Sequence, residues 1–442
     1  MPFPAVCSAL ALGVCVHVPP SDSLDLTKEL GTEWIRIDFN WDIIEPQKGQ
    51  VDYSIFDKLL DNAKARGLKV FATVGYGAAW ASISGDAKKD GATNDVPNPT
   101  ELRRFVMDSV KRYSDGRVAA WGTWNEPNLE QFFEGTQQQW IDNVFTVTVD
   151  AIKDACPSCV VVGPELASIS DKYDTYLDAA LTARGSKLDA VSFHIYASFP
   201  EDDSSAGLTK DSFYNKLEKH RVIDIGGNIV YEGPLSAREV MIKKGFASLP
   251  IWITETGLEA QLGNAGELEK QRKYVERVVV AQATRPWWTK TFFYELTEEH
   301  PGGLWPDIHW GFALRVKDAD ATYSDNFQKK PVFDELKNCI AAGGGGAVGG
   351  SSGTGGGGGI GGGQGGAGGQ GGAGAAPGSG AASSAGAGGL GAAGAMTKSN
   401  EDDGGCGCRT TTQRPSWPAL LLGLFGVGAL GRRRRQARGM RD

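Results

Sequence analysis

Short apolar runs alternate with amphipathic segments along residues 13–341 of the 442-residue chain. The apolar runs are typical of buried strands, and they are 13–18, 33–39, 68–76, 117–125, 159–165, 188–196, 250–257 and 289–296. Apolar residues recur at helical spacing in the segments between them, which are 23–31, 53–67, 99–115, 136–155, 171–185, 236–245, 268–284 and 330–341. This alternation predicts parallel strands joined by crossover helices.

Eight such units predict an α/β fold of the (β/α)8 TIM barrel type with some enlarged loops. A doubly wound open sheet is the alternative, but no Gly-rich phosphate loop follows the first strand. From residue 343 the sequence is almost pure Gly, Ala and Ser, with too little apolar side chain to offset the entropy of ordering. We therefore predict a folded domain over 1–341, a disordered linker over 342–404 and a separate C-terminal segment over 405–442.

Two carboxylates stand where predicted strands end. The fourth strand leads into "WNEPN", with Asn125 and Glu126, and the seventh, "IWITETG", ends at Glu255. Active sites of such barrels lie at the carboxyl ends of the strands. Either glutamate taken alone could cap a helix or pair with an arginine. Strands four and seven, however, lie on roughly opposite sides of an eight-membered ring, so the two glutamates can face each other across its mouth.

Alternation along two other strands places polar side chains on the inward face. Arg36 and Asp38 share one face of the second strand, and His194 and Tyr196 share one face of the sixth. A buried structural pair, or a hydrogen-bonded core histidine, is the simpler explanation for each residue singly. Their joint placement instead predicts a polar site around the barrel axis.

Two carboxyl groups about 5–5.5 Å apart are the requirement of retaining glycoside hydrolysis. We predict Glu126 as the acid/base and Glu255 as the nucleophile, with Arg36 and Tyr196 stabilising the charged nucleophile. Asn125 is predicted to donate to a sugar hydroxyl, and His194 to line the cleft. Trp41, Trp80 and Trp305 follow strands or lie in the enlarged loops, so we predict that they stack on sugar rings; ordinary packing is the alternative.

The seven cysteines bear on export. Cys156 and Cys159 form "CPSC", which predicts a local disulfide in an exported protein; a metal site lacks a second ligand pair nearby, and a redox motif lacks its fold context. Cys7, Cys15 and Cys339 are predicted to be buried or paired thiols. We predict no metal and no cofactor, because two carboxylates and water suffice for the chemistry.

Residues 13–340 resemble the clan A glycoside hydrolases, which are retaining enzymes on (β/α)8 barrels. "WNEPN" is similar to the acid/base motif of that clan, and "ITETG" to its nucleophile motif. The stretch 34–76 and "KKPVFDELK" make the chain most similar to family 39, with family 5 as the neighbouring alternative. The resemblance implies the same roles for Glu126 and Glu255. The clan often has a tryptophan at the end of strand eight, where this chain has Tyr294 and Glu295.

The C-terminal segment has three parts: a motif with Cys406 and Cys408, an apolar run over 417–430 and a cluster of arginines. The run makes about 21 Å of helix, short of a hydrocarbon core of about 30 Å. The order resembles the MYXO-CTERM sorting signal, which implies cleavage near the cysteines and display at the cell surface. A plain C-terminal membrane anchor is the alternative. The first residues carry no positively charged start, so we expect a signal peptide upstream of an incorrectly assigned start.

The sequence thus predicts a surface-displayed retaining glycoside hydrolase acting on β-linked oligo- or polysaccharides. Its predicted partners are the carbohydrate substrate, the export and C-terminal sorting machinery, and a membrane through the tail. The net charge of −8 gives no indication of nucleic-acid binding. A non-catalytic carbohydrate-binding barrel and a transglycosylase that uses the same residues are the alternative functions.

Overall fold

Eight parallel strands form a closed barrel in the computed structural model, which describes residues 6–88, 91–168, 172–199, 212–225, 228–298, 309–316 and 323–342. In chain order the barrel strands are β1 (Ala11–Cys15), β2 (Trp34–Phe39), β3 (Lys69–Val74), β4 (Ala120–Gly122), β5 (Val161–Ala167), β6 (Ala190–His194), β7 (Ile251–Thr256) and β8 (Trp288–Phe293). β1 pairs in parallel with both β2 and β8, which closes the ring. The predicted TIM barrel is therefore confirmed.

One main helix follows each strand. These helices are α1 (Ser21–Leu30), α2 (Ser54–Ala65), α3 (Pro99–Arg112), α4 (Thr146–Ala155), α5 (Tyr173–Arg184), α6 (Ala237–Lys243), α7 (Ala265–Ala283) and α8 (Pro331–Ala342). Gln137–Trp140 and the π-helical Ile141–Phe145 run directly into α4. Local sequence sets the boundaries: at α3, the Asn98 side chain accepts from the N–H groups of Thr100 and Glu101, and Pro99 occupies the first turn.

The connections carry smaller elements. Short helical segments are Cys7–Ala9, Trp41–Ile44, Ala79–Ala81, Gly185–Lys187, Phe213–Leu217 and Tyr323–Asp325. An antiparallel hairpin, Arg221–Ile225 with Asn228–Glu232, lies between β6 and α6. A three-stranded sheet of Thr297–Glu298, Ala313–Arg315 and Phe327–Lys329 lies between β8 and α8. The hairpin therefore follows the carboxyl end of β6, and the three-stranded sheet follows the carboxyl end of β8.

Apolar side chains fill both sides of the barrel wall. One large cluster packs the helices against the outward-facing strand residues, such as Ile35, Ile37 and Ile253. A second, separate cluster lies on the inward face and includes Phe71, Trp252 and Phe292. Because side chains alternate along each strand, the inward residues further toward the carboxyl ends of the strands are free to be polar.

The chain ends of the barrel are covalently joined by a disulfide between Cys7 and Cys339, which connects the start of the described chain to α8. Cys156 and Cys159 are also disulfide-bonded, and Cys15 is a buried free thiol. The predicted linker and the predicted C-terminal segment, including Cys406 and Cys408, lie outside the described residues. Within the described part of the chain, no helix combines the length and apolar character needed to cross a membrane.

Candidate active site

Glu126 and Glu255 lie on either side of His194 at the mouth of the barrel. His194 Nδ1 is 2.8 Å from Glu126 Oε1 and 3.5 Å from Glu255 Oε2. One carboxylate oxygen of each glutamate and one His194 nitrogen all lie within 4.8 Å of one another. Both glutamates are less than a tenth exposed, and His194 is fully buried. The two carboxylates predicted from the sequence therefore share one buried site.

Strand pairing explains this convergence. His194 ends β6 directly beside Glu255 on β7. Glu126 lies beyond β4, whose ladder ends at Gly122 rather than at the predicted residue 125. The backbone of Glu126 has a φ of 41°, in the left-handed region that non-glycine residues seldom adopt. Its N–H donates to the main-chain carbonyl of Glu165 at 3.0 Å, which holds the turn in place.

Arg36 connects the two motifs. Its Nη1 donates to Glu255 Oε1 at 2.8 Å, and its Nη2 donates to Asn125 Oδ1 at 2.8 Å. The Tyr196 hydroxyl donates to Glu255 Oε2 at 2.6 Å. Each oxygen of Glu255 thus receives a strong donor, one of them cationic, and such donors favour the ionised carboxylate.

The surroundings of Glu126 favour its protonated form. Burial raises the pKa of Glu126 to about 8, although the nearby Arg36 charge opposes the shift. Burial also lowers the pKa of His194 to about 3, so its imidazole is neutral at pH 7. The neutral ring can accept a hydrogen bond from the protonated Glu126 carboxyl group or, in its other tautomer, donate one to it. At pH 7 Glu126 therefore carries a proton, as a general acid requires.

The cluster of Glu126, His194 and Glu255 has donor atoms of the kind that bind metal ions. Positive charge is already supplied there by the Arg36 guanidinium, 2.8 Å from Glu255, and His194 Nδ1 is engaged by Glu126. These contacts fit proton transfer and nucleophilic attack better than the binding of a cation.

The three tryptophans that were predicted to stack on sugar rings have different outcomes. Trp41 is fully buried: its ring stacks on Phe105 at 5.2 Å, and its Nε1 donates to Glu45. The prediction that Trp41 stacks on sugar is therefore wrong, because the short helix after β2 turns the ring into the core. Trp80 is partly exposed and donates to the main-chain carbonyl of Glu45, so its sugar contact stays a prediction. Trp305 lies outside the described residues.

A second polar group at the mouth escaped the sequence reasoning. His17 follows β1, and its ring nitrogens lie 2.8 Å from Asp38 and 3.0 Å from Glu295. Burial alone lowers the pKa of His17, but these two carboxylates raise it well above its ordinary value. The side chain of His17 is 43% exposed, so this charged group is open to a ligand. Its signal was the placement of a polar residue directly after the first strand.

Two further residues were passed over. Trp310 packs edge-on against Tyr196, with ring centroids 5.3 Å apart. Glu165, on β5, is fully buried and accepts two hydrogen bonds from Arg36. It is a third carboxylate in the site, and its strand-end position was the signal that identified the other two.

Known proteins resemble this chain in sequence and in fold. A beta-xylosidase from Geobacillus stearothermophilus is 26% identical over 213 residues, which are 46% of this chain and 40% of the relative. The chain spans less than half of the length of the curated relatives it matches. A family 39 glycoside hydrolase structure from Bacteroides cellulosilyticus WH2 has a TM-score of 0.54 at 17% identity, covering 77% of this chain and 65% of that one.

A second solved structure, of a monomeric beta-xylosidase from Caulobacter crescentus CB15, has a TM-score of 0.51 at 19% identity and covers 74% of this chain and 67% of its own. At such identities the structures support the shared barrel alone. The sequence profile of Glycosyl hydrolases family 39 matches residues 29–261, more than half of the chain and both glutamate motifs. The family expected from those motifs is thereby confirmed: the chain belongs to glycosyl hydrolase family 39.

Proposed function

We propose that this protein is a retaining glycoside hydrolase that cleaves β-linked oligo- or polysaccharides by double displacement. The supporting observation is the approach of the Glu126 and Glu255 carboxylates, which have oxygens within 4.8 Å of one another. Retaining enzymes hold their carboxyl groups about 5–5.5 Å apart, whereas inverting enzymes need about 6.5–9.5 Å to admit water between them. The short separation favours a covalent intermediate.

The unequal surroundings of the two carboxyl groups support their roles. Burial raises the pKa of Glu126 to about 8, so it carries a proton at neutral pH and acts as the acid. Glu255 accepts from Arg36 and Tyr196, and these two hydrogen bonds orient its carboxyl group for attack. Asn125 Oδ1 accepts from Arg36, which leaves the Asn125 amide nitrogen as a donor for a sugar hydroxyl.

Two displacements complete the reaction. In the first, a Glu255 oxygen forms a bond to the anomeric carbon as the bond to the leaving oxygen breaks, and Glu126 gives its proton to that oxygen. In the second, water attacks the same carbon, Glu126 takes a proton from the water, and the bond to Glu255 breaks. Both residues return to their starting protonation states, and the anomeric configuration is retained.

The β-linkage is supported by the relatives, which are named as beta-xylosidases. Asp38 and Glu295, bridged by the partly exposed His17, offer carboxylate acceptors to sugar hydroxyls at the mouth. Tyr196 and Trp310 offer flat apolar faces beside Glu255. These groups support a carbohydrate substrate and leave the sugar identity to a substrate screen.

Export and surface display form part of the proposal. Two disulfides in the barrel suit an oxidising compartment outside the cytosol. The cysteine motif, apolar run and arginines of 405–442 would be handled by export and sorting machinery and would bring the enzyme to a membrane surface. Fractionation of cells producing the full chain, a chain ending at 404 and a double Ser variant at Cys406 and Cys408 tests this. Equal release of all three into the medium would contradict surface retention.

The activity is tested with a panel of aryl β-glycosides and β-linked polysaccharides. We expect wild-type hydrolysis with retained configuration, and a loss of about 10²–10⁴-fold in kcat in Glu126→Gln. Glu255→Gln removes the nucleophile and should abolish turnover. Glu130→Gln, an exposed glutamate on the same loop, is the matched control and should keep full activity. Binding without turnover in the wild type would indicate a carbohydrate-binding protein, and transfer to a second sugar would indicate a transglycosylase.

A further inference from the structure

Glu165 is hydrogen-bonded to Arg36, the residue that also contacts the proposed nucleophile Glu255. Arg36 Nε and Nη2 donate to Glu165 Oε2 at 3.1 and 2.9 Å, and the Thr73 hydroxyl donates to the same oxygen at 2.8 Å. Three donors therefore converge on one oxygen of a fully buried side chain. So dense a set of contacts fixes the position of the guanidinium that also reaches Glu255.

The single charge of Arg36 is divided between two carboxylates. The guanidinium is 2.8 Å from Glu255 and 2.9 Å from Glu165, and all three groups are buried. One buried cation cannot fully compensate two buried anions. Burial raises the pKa of Glu165 to about 7, and the charge of Glu255 adds to the shift, against the opposing effects of Arg36 and Thr73.

The main chain of Glu165 also supports the acid/base. Its carbonyl accepts from the Glu126 N–H at 3.0 Å, and its own N–H donates to Ser192 Oγ at 2.9 Å. Glu165 and Glu126 both have left-handed backbones, with φ of 55° and 41°. Such conformations are held only where the surroundings determine them, and they concentrate at functional sites.

Close packing leaves the second oxygen of Glu165 without a donor. A Cβ added at Gly122 would collide with Oε1, so only glycine fits beneath the carboxyl group. Among the described residues, Oε1 and His194 Nε2 are both buried without a hydrogen-bond partner. His194 Nε2 is 4.0 Å from Glu165 Oε2, and the opposite ring nitrogen contacts Glu126. The His194 ring thus lies between the carboxyl groups of Glu165 and Glu126.

We propose that Glu165 is a positioning residue that sets how much of the Arg36 charge acts on Glu126, and so determines the pH at which the acid/base loses its proton. The proposal rests on the proposed glycosidase function. When Glu165 is neutral, the Arg36 charge is offset by Glu255 alone; when Glu165 is ionised, it offsets more of that charge. Since Arg36 lowers the pKa of Glu126, an ionised Glu165 keeps the proton on Glu126 to higher pH.

Several titratable groups in the described part of the chain face these residues, and Tyr76 and Tyr196 interact electrostatically with Glu126. Arg36, His194 and Glu255 face Glu165 from β2, β6 and β7. The further charged and titratable groups around Arg36 are Cys15 and Asp38. Burial raises the pKa of Cys15 well above its ordinary value, so its thiol stays neutral. Asp38 stays ionised, because His17 and Arg36 outweigh burial and lower its pKa.

The test is the pH dependence of kcat/KM for Glu165→Gln on an aryl β-glycoside that the wild type cleaves. The glutamine side chain in this variant retains a carbonyl oxygen for Arg36 and Thr73 but never ionises. We expect the descending limb, which reports Glu126, to move to lower pH by about one unit. Thr73→Val removes one donor to the carboxylate and raises the pKa of Glu165, so the same limb should move the same way by less.

Glu298→Gln is the matched control, since Glu298 is a buried carboxylate paired with Lys330 at 2.9 Å, outside the site. It should lower stability and leave the pH profile unmoved. A descending limb in Glu165→Gln that superimposes on the wild type, or an equal shift in the control, would overturn the proposal. If Glu165→Gln does not fold, Thr73→Val decides the matter by the same criterion.

An infrared titration separates this proposal from the proposed function. The carbonyl band of protonated carboxylic acids is followed between pH 5 and 9 in the wild type and Thr73→Val. We expect two acids to ionise in this range in the wild type, Glu165 near pH 7 and Glu126 near pH 8. In Thr73→Val the lower step, that of Glu165, should move to higher pH, and the upper step, that of Glu126, to lower pH. Identical titrations would overturn the role of Glu165 even if the enzyme is active. If the wild type cleaves no glycoside, the proposed function fails while the titration still tests the charge balance.

Discussion

Replacing Glu126 with glutamine should stabilise the folded protein at neutral pH. The pKa of Glu126 rises from 4.5 to about 8 on folding because the group is buried. Between these two values the folded state binds a proton that the unfolded state has released, so stability falls as pH rises through that window. The free energy of unfolding should fall by up to about 1.4 kcal/mol per pH unit from this group alone.

The gain at a given pH follows from the same relation. At pH 7 the cost of keeping Glu126 protonated is roughly 3 kcal/mol, and at pH 5 it is about 0.7 kcal/mol. A glutamine at this position bears no such cost. Its amide can still hydrogen-bond to His194 Nδ1, which lies 2.8 Å from Glu126 Oε1 in the wild type. We therefore expect Glu126→Gln to be more stable than the wild type by up to roughly 3 kcal/mol at pH 7 and almost equal at pH 5.

Urea unfolding at a series of pH values between 5 and 8 measures this difference. Subtracting the wild-type curve removes the contributions of titrating groups distant from Glu126, which are common to both proteins. Glu130→Gln is the control, because Glu130 is exposed, and it should stay within about 0.5 kcal/mol of the wild type throughout. A difference for Glu126→Gln that is flat with pH, or a loss of stability at pH 7, would show that Glu126 is ionised in the folded state and would refute its role as the acid.

Three further results are expected. A 2-fluoro-glycoside inactivator of a cleaved sugar should label Glu255, as found by peptide mass spectrometry; labelling of Glu126 would reverse the proposed roles. Trp41→Ala should lower the free energy of unfolding in urea by about 3–5 kcal/mol, as for other buried aromatics, whereas a loss below about 1 kcal/mol would contradict its burial. Removing the Cys7–Cys339 bridge, with its sequence separation of 332, should cost about 2–5 kcal/mol, more than removing the Cys156–Cys159 bridge with a separation of 3; the reverse order would contradict the chain-entropy account.

Much of the site follows from periodicity and strand order. Alternation along β2 and β6 placed Arg36, His194 and Tyr196 inward, and the ends of strands four and seven identified both glutamates. These inferences need only that side chains alternate and that parallel strands end at one rim. The rule holds at Arg36 because β2 pairs with β3 without a register shift. It also gave the right side for His194, although the pairing of β6 with β7 shifts register between Phe193 and His194.

The rule fails where the backbone leaves that geometry. The pairing of β5 with β6 shifts register between Gly163 and Leu166, and Glu165 in this interval has a positive φ. The face of the sheet to which the Glu165 side chain points could therefore not be obtained by counting alternate residues along "VVVGPELA", a stretch that otherwise resembles a buried apolar strand. Trp41 was misjudged for a related reason, because a helical turn directly after β2 carries the ring back into the core.

The hydrogen-bond contacts of Glu126 and Glu255 distinguish the proposed roles of the two carboxyl groups better than their sequence motifs do. Each oxygen of Glu255 accepts from a separate donor, Arg36 or Tyr196, whereas the Glu126 carboxyl contacts a neutral imidazole. In a buried site the group with the better donors bears the charge, and its neighbour keeps the proton. The donors that support the proposed assignment of acid and nucleophile come from β2 and from the segment that follows β6. A chain with both glutamate motifs but without Arg36 would have two buried carboxyl groups and little to separate their chemistry.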